Sequence, residues 1–329
     1  MVSSRPTIRL GSDGMHVVTV QECLGVQPVD GEFGQITDEA VRRYQRREKL
    51  EIDGVVGPAT WAELEEDYSL PPYPEPMLSP LDEATIAAIS DAALYSAISS
   101  YSWDDRGVAP AGYTIGMAHA FATALRKYRI GDSAAIEMGR AASGDADVDA
   151  LSWYAQEFAT LGMSNGKDGI DTLRHLFVML MGLGMRESSG RHCEGRDMSA
   201  DNVSSDTAEA GLFQMSWNAS NSSDEMQGLM DSYQPAASAD ADQCALQHFC
   251  QGVTCSTSDW ECYGSGAGFQ YQTLAKKCPQ FAVETAAIGL RNLRQHWGPI
   301  NRREVELRRE ADHMFREVQR IIVNRDAVA

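Results

Sequence analysis

A turn-and-helix pattern near the front of the chain occurs twice, and this repeat limits the fold more than any other feature. Asp30-Gly31-Glu32-Phe33-Gly34-Gln35-Ile36-Thr37 is followed by Ala40-Val41. The pattern returns 23 residues later as Asp53-Gly54-Val55-Val56-Gly57-Pro58-Ala59-Thr60, followed by Trp61 and Leu64. In each copy Asp-Gly marks a tight turn in which glycine supplies a positive φ, and the Thr caps a short helix. Val41, Tyr44 and Gln45 then continue an amphipathic helix with a 3.6-residue period. Asp30, Gly31, Asp53 and Gly54 are therefore expected to fix turns rather than to touch a ligand. A small helical domain is expected over residues 1–68.

Ser69 to Pro80 holds five of the chain's 12 prolines. Polyproline geometry makes residues 69–80 a semi-rigid spacer and divides the 329-residue chain into two domains. Beyond it, residues 81–329 read as overwhelmingly helical. Ser79-Pro80-Leu81-Asp82-Glu83 supplies a cap, an early proline and acidic first-turn residues. Ile86, Ile89, Ala93 and Ile98 then carry the apolar face. Further helices are predicted near 114–129, 148–162, 171–186, 280–296 and 301–323. No convincing strand alternation occurs, although a short β element between Glu194 and Ala210 would be hard to see. The fold class is mainly α.

The formal charge of −19 excludes a nucleic-acid partner, because holding phosphates takes clustered Lys and Arg. The arginine-rich stretch from Arg291 to Arg325 reads more simply as a charged amphipathic helix. The N-terminus lacks an apolar core of signal-peptide length, and no run of about 18 apolar residues occurs elsewhere. Synthesis in the cytoplasm without a signal peptide, no membrane insertion and a monomeric state are expected.

Cys23 lies at an apolar helical position and reads as a buried free thiol. Cys193, Cys244, Cys250, Cys255, Cys262 and Cys278 cluster in the second half, an even number that allows up to three disulfides in any of 15 connectivities. Zinc needs paired Cys-x-x-Cys or His spacings, which fit poorly here, and His175, His192 and Asp197 are not a known ligand set. No metal and no cofactor are expected.

The chemistry concentrates at Glu187. Leu173, Leu176, Leu180 and Leu183 share its helical face, so the carboxyl emerges at the end of a buried helix beside Ser188, Ser189 and Gly190. Partial burial disfavours the ionised form and raises the carboxyl pKa toward a range suited to protonating a leaving oxygen. Ala210-Gly211-Leu212-Phe213-Gln214 follows at a distance suited to a turn returning across a cleft. Gly211 allows close backbone approach, Leu212 and Phe213 anchor the turn, and Gln214 offers hydrogen bonds to an acetamido sugar. Trp217 and Trp260 could stack on sugar rings or fill core. No Gly-x-Ser-x-Gly elbow is present.

These residues resemble known families. The repeat is similar to the three-helix peptidoglycan-binding domain of wall hydrolases, whose consensus runs roughly Asp-Gly-x-Phe-Gly-x-x-Thr-x-x-Ala-Val-x-x-Phe-Gln, with Tyr44 replacing Phe. Glu187-Ser188 and Gly211-Leu212-Phe213-Gln214 resemble the Glu-Ser and Gly-Leu-Met-Gln motifs of the soluble lytic transglycosylase and goose-type lysozyme superfamily, with Phe213 replacing Met. The combination resembles a modular phage-type endolysin. Departures are Ala208-Glu209 where relatives carry Gly-Ala, and the lack of a clean Tyr-Asn element, for which Tyr271 and Asn292 are weak candidates.

The resemblance implies a lysozyme-like fold for residues 81–329, Glu187 as general acid, and Ser188, Gln214 and Tyr271 at the substrate. It implies action on peptidoglycan in the periplasm or cell wall, between N-acetylmuramic acid and N-acetylglucosamine. A hydrolase needs a second carboxylate. Glu194, Asp197, Asp201, Asp206 and Glu209 are available, and Asp201 and Asp206 lie nearest to where goose-type enzymes place acids. Alternatives are a lytic transglycosylase giving 1,6-anhydro products, a chitinase-type enzyme, and a non-catalytic wall-binding structural protein.

Overall fold

A computed structural model describes residues 5–68, 78, 80–196, 204–233 and 243–326. The chain forms two compact units, residues 1–79 with 127–136, and residues 80–126 with 137–329. Most of the proline-rich stretch, residues 69–77 and 79, lies outside the described residues. Both units are mainly helical, as the periodicity predicts.

In the first unit, α1 (Met15–Leu24), α2 (Gln35–Arg47) and α3 (Pro58–Asp67) surround a core of Val17, Val20, Phe33, Val41, Tyr44, Val56, Trp61 and Leu64. The sequence repeat is realised as two copies of one hydrogen-bond knot. Gln21 Nε2 donates to Asp30 Oδ1 (2.8 Å), the Glu32 carbonyl (3.0 Å) and Thr37 Oγ1 (3.2 Å), while its Oε1 accepts from Gly31 N (2.9 Å). Gln45 Nε2 donates to Asp53 Oδ1 (2.8 Å), the Val55 carbonyl (2.9 Å) and Thr60 Oγ1 (3.4 Å), and its Oε1 accepts from Gly54 N (2.9 Å). Both glutamines are buried, and Gly31 and Gly54 both sit at φ +73°. The Asp-Gly pairs thus fix turns, and a glutamine one helix earlier satisfies the polar groups each turn would otherwise strand. The repeat therefore reaches back to Gln21, further than the Asp-Gly pattern indicates. Arg5 closes the unit by pairing with Glu65 (2.8 Å) over the Trp61 ring.

The second unit is organised around α9 (Ile170–Ser188). Every residue of α9 from Thr172 to Met185 is buried, so the helix has no solvent face along that length. It packs against α13 (Pro279–Asn292), α14 (Gly298–Asn301) and α15 (Arg309–Asp326). Phe121 of α5 (Ala111–Arg129), Phe177 of α9 and Phe315 of α15 form an aromatic cluster with ring centres 5.1–5.8 Å apart. Two glycines let α9 be approached this closely. A Cβ on Gly182 would run into the Glu306 carbonyl, and one on Gly184 would meet the Tyr113 ring and hydroxyl.

Two arginines taken into this core are paired with carboxylates, as burial of a charge requires. Arg174 Nε binds Asp312 (2.7 Å), and Arg291 Nε binds the equally buried Asp149 (3.0 Å). The other Arg291 nitrogens donate to the carbonyls of Met138, Arg140 and Ala141.

Four sequence expectations need correction. The predicted 301–323 helix starts only at Arg309, because residues 304–308 form no regular element and are held by other segments, with Val305 N donating to Tyr154 Oη and Glu306 accepting from Tyr101 Oη and Asp104 N. The predicted 280–296 helix stops at Asn292, where Arg294 N turns to the Val148 carbonyl. A two-stranded hairpin, Ser102–Trp103 with Gly107–Val108, occurs where none was expected, its strands too short to show alternation. The cysteines form two disulfides, Cys193–Cys255 and Cys244–Cys278, so a third is absent and Cys250 and Cys262 remain thiols. Cys23 is free but only half-buried.

Gln45→Leu keeps the helical face apolar yet leaves Gly54 N buried without its partner, while the Val55 carbonyl keeps only Thr60 Oγ1 (3.3 Å). Each stranded group costs about 1–3 kcal/mol. Denaturant unfolding should show the first unit destabilised by at least about 1 kcal/mol, and an unchanged midpoint would contradict the knot.

Candidate active site

Glu187 occupies the last turn of α9, before Ser189 enters the left-handed region at φ 52° and ends the helix. The carboxyl is half-buried, and burial pushes its pKa up to about 7. The negative charge of Glu209 acts in the same direction, and that of Glu304 adds less. Arg106, from the hairpin turn, and Arg302 oppose them. Arg302 is held bidentate by Glu304 (2.7 and 2.9 Å), which spends much of its charge before it reaches Glu187. The result is a carboxyl poised to carry a proton near neutrality.

The hairpin turn is fixed against the end of α9. Arg186 Nη1 donates to the Asp104 carbonyl (3.2 Å), and Asp104 N donates to Glu306 (2.8 Å). Tyr113 packs against Gly190 and donates to the carbonyls of Leu180 (3.1 Å) and Met181 (2.8 Å).

The Gly211–Gln214 turn is tied down group by group. Ser188 Oγ donates to the Leu212 carbonyl (2.8 Å), with the Gly184 carbonyl 3.0 Å away. Trp297 Nε1 donates to the Phe213 carbonyl (2.9 Å), and the His296 ring donates to that of Gln214. Gly211 N donates to the Glu194 carbonyl (2.9 Å), and a bridge joins Ala210 to Met215. Gly211 adopts φ +73°, and a Cβ there would lie 2.6 Å from the Ala275 carbonyl, so the close approach read from sequence is real. Gln214 is itself left-handed at φ 46°.

The expected site residues therefore separate. Glu187 and the Gly211–Gln214 turn come together through Ser188. Ser188 is a correction: it is 4% exposed and binds backbone, so it positions the turn and does not face a substrate. Gln214 folds back, its Nε2 donating to the Gly211 carbonyl (2.9 Å). Tyr271 is also corrected. It is buried in α12 (Ala267–Lys277) between Trp217 and Phe281, where it fills core. Asn292 donates to Glu137 and supports α13. Asp201 and Asp197 lie outside the described residues. Asp206 accepts from Gly268 N (3.1 Å), whereas Glu209 is the carboxylate that most raises the Glu187 pKa.

Asp206 instead lines a cleft of about 450 Å³ with Trp217, Asn218, Asn221, Asp224 and Gln227. An aromatic face among amide and hydroxyl groups can stack on one sugar ring and hydrogen-bond its substituents. Sequence reasoning did not bring Arg106, His296, Arg302 or Glu304 to this site. They arrive from segments 81 residues before and at least 109 after Glu187, a separation carrying no local signal.

Residues 21–64 match the family of peptidoglycan binding domains. Among curated proteins none matches the chain. Among solved structures, the crystal structure of Burkholderia AP3 phage endolysin is 14% identical, with 98% of this chain and 100% of that one covered at a TM-score of 0.18, too low to inform the fold. Among the described residues no helix is long and apolar enough to cross a membrane.

The raised pKa of Glu187 has a stability consequence. Unfolding lowers it from about 7 to its ordinary 4.5. The unfolded chain therefore loses its proton first, and the contribution of Glu187 falls as pH rises from 4.5 to 7. Glu187→Gln should match the wild type at pH 4 and be more stable by roughly 1–3 kcal/mol at pH 8. Denaturant titration at the two pH values decides this, and an equal difference at both would mean that Glu187 ionises freely.

Proposed function

We propose that this chain is a peptidoglycan-degrading glycosidase cutting the β-1,4 bond between N-acetylmuramic acid and N-acetylglucosamine. The observation that carries the reading is the half-buried Glu187 carboxyl, held near neutrality beside a turn whose carbonyls are all engaged. The resemblance of Glu187-Ser188 and of the Gly211–Gln214 turn to the lysozyme-like superfamily agrees with it.

In this mechanism Glu187 donates its proton to the glycosidic oxygen as the C1–O bond breaks. Glu209 is the second carboxylate. It takes the proton of the water that attacks C1, and its charge helps keep Glu187 protonated until transfer. A base for water favours hydrolysis over the anhydro-forming reaction, which needs only the acid. The cleft beside Trp217 receives a neighbouring sugar. Residues 1–68 act as the wall-binding module, supported by the family match over 21–64, and raise the local concentration of enzyme on an insoluble polymer. In this reading the chain is a lysis enzyme of the phage type, acting in the wall.

Digestion of purified peptidoglycan followed by mass spectrometry of the muropeptide ends tests the assignment. Reducing muramic ends are expected from the wild type, with turnover reduced at least about 100-fold in Glu187→Gln. Anhydro ends would replace the hydrolase by a transglycosylase, and products from chitin alone would indicate a chitinase-type enzyme. If Glu187→Gln keeps its activity, the acid lies elsewhere.

The pH profile tests the pair. Since Glu187 must be protonated, kcat/KM should fall as pH rises through about 7. Removing the neighbouring negative charge in Glu209→Gln should move that descending limb to lower pH. A limb that stays in place would separate Glu209 from the acid.

A further inference from the structure

Trp260 is 37% exposed and lines a second cavity that the proposed cleavage does not use. The cavity holds about 200 Å³, with Trp260 and Cys262 on one side and Phe269, Thr273, Lys276 and Lys277 of α12 on the other. Steps of three and four residues put Phe269, Thr273, Lys276 and Lys277 on one face of that helix. Two bonds strap residues 261–263 to α12. Lys276 Nζ donates to the Glu261 carbonyl (2.7 Å), and Tyr263 N donates to Gln272 Oε1 (2.7 Å).

The lining is short of negative charge. Lys276 is 1% exposed, and its ammonium has three donors, of which the Glu261 carbonyl takes one. Among the described residues no carboxylate pairs with Lys276, and Glu194, Asp259 and Glu261 act on it only from beyond ion-pair distance. A charge taken out of water needs a partner of opposite sign, and burial lowers the Lys276 pKa. The ammonium of Lys277, exposed beside it, also has no hydrogen bond or ion pair among the described residues. Two cations thus share a wall with the half-open rings of Trp260 and Phe269. Other polar groups are scarce, since the Thr273 hydroxyl already donates to the Phe269 carbonyl (2.9 Å). A sugar, with hydroxyls on every side, finds few partners there. The volume is also below the roughly 300–1,000 Å³ of pockets that enclose a whole ligand, so it suits one small end-group.

We propose that this cavity binds the terminal carboxylate of a short peptide of small residues, which in the wall is the D-alanine end of a peptidoglycan stem. The carboxylate accepts from Lys276 and Lys277 in charge-assisted hydrogen bonds, and the alanine methyls pack on Trp260 and Phe269. The source of the peptide rests on the proposed action on peptidoglycan, whereas its capture does not depend on Glu187. The second unit thereby holds the peptide part of the polymer as well as cutting its glycan.

Cys262 reports occupancy, because its thiol lines the cavity and lies outside both disulfides. The full oxidised chain is alkylated with iodoacetamide, with and without millimolar N-acetyl-D-alanyl-D-alanine, and the rate at each cysteine is read by peptide mass spectrometry. Alkylation of Cys262 should slow at least about threefold once the dipeptide exceeds about twice its Kd. Cys250, exposed and outside the cavity, should react at an unchanged rate. The C-terminal amide of the same dipeptide should give no slowing, and Lys276→Met and Lys277→Ala should each lose the protection. Should Lys276→Met misfold, Lys277→Ala at its exposed position decides. In Glu187→Gln, which leaves the polymer uncut, intact peptidoglycan should protect Cys262 and glycan stripped of its stems should not. No slowing by the dipeptide overturns the proposal, even if the wild type degrades peptidoglycan. So do equal slowing by acid and amide, full protection in Lys277→Ala, or protection by N-acetylglucosamine, N-acetylmuramic acid or stripped glycan. Protection by the dipeptide but not by intact peptidoglycan would overturn the stem as the source, and with it the wall reading, while the carboxylate site stands.

Discussion

The second unit depends on α9 being enclosed on every side from Thr172 to Met185. A helix with no solvent face cannot shift or rotate without opening the core, so whatever its last turn carries is held as firmly as the core itself. Its C-terminus carries Glu187, where full enclosure gives way to partial burial. Burial there is deep enough to oppose ionisation and shallow enough to leave the carboxyl accessible. The glycines of α9 serve the same end, since Gly182 and Gly184 let the Glu306 backbone and Tyr113 close against the helix just below the acid.

The turn opposite Glu187 is rigid for a related reason. Its three carbonyls at Leu212, Phe213 and Gln214 are met by donors from three residues, Ser188, Trp297 and His296. Two of these donors come from a segment more than 80 residues further along the chain. Such a turn resembles a preorganised wall more than a mobile loop. Charge is arranged with equal economy. Arg302 acts against Glu209 at Glu187 but is committed to Glu304.

The first unit solves a small-domain problem by other means. Three helices of 10 to 13 residues bury little surface, and two Asp-Gly turns leave polar backbone close to that core. Gln21 and Gln45 each answer one turn with both ends of a single amide. The same residue types at the same spacing form the same knot twice, which is why the repeat is visible as sequence.

Features set by neighbours in the chain were legible in advance. The Asp-Gly turns, the helical periods, the buried leucine face leading to Glu187 and the close approach at Gly211 all depend on residues within a few turns of one another. Features set by distant segments were not. The role of Ser188 changed because its hydroxyl found the Leu212 carbonyl, and Tyr271 became core because Trp217 and Phe281 closed over it. That Glu209 acts on the charge of Glu187 likewise depends on how the fold returns the chain after α9. The Cys193–Cys255 disulfide follows the same rule, since sequence spacing cannot report a pairing that packing across 62 residues decides.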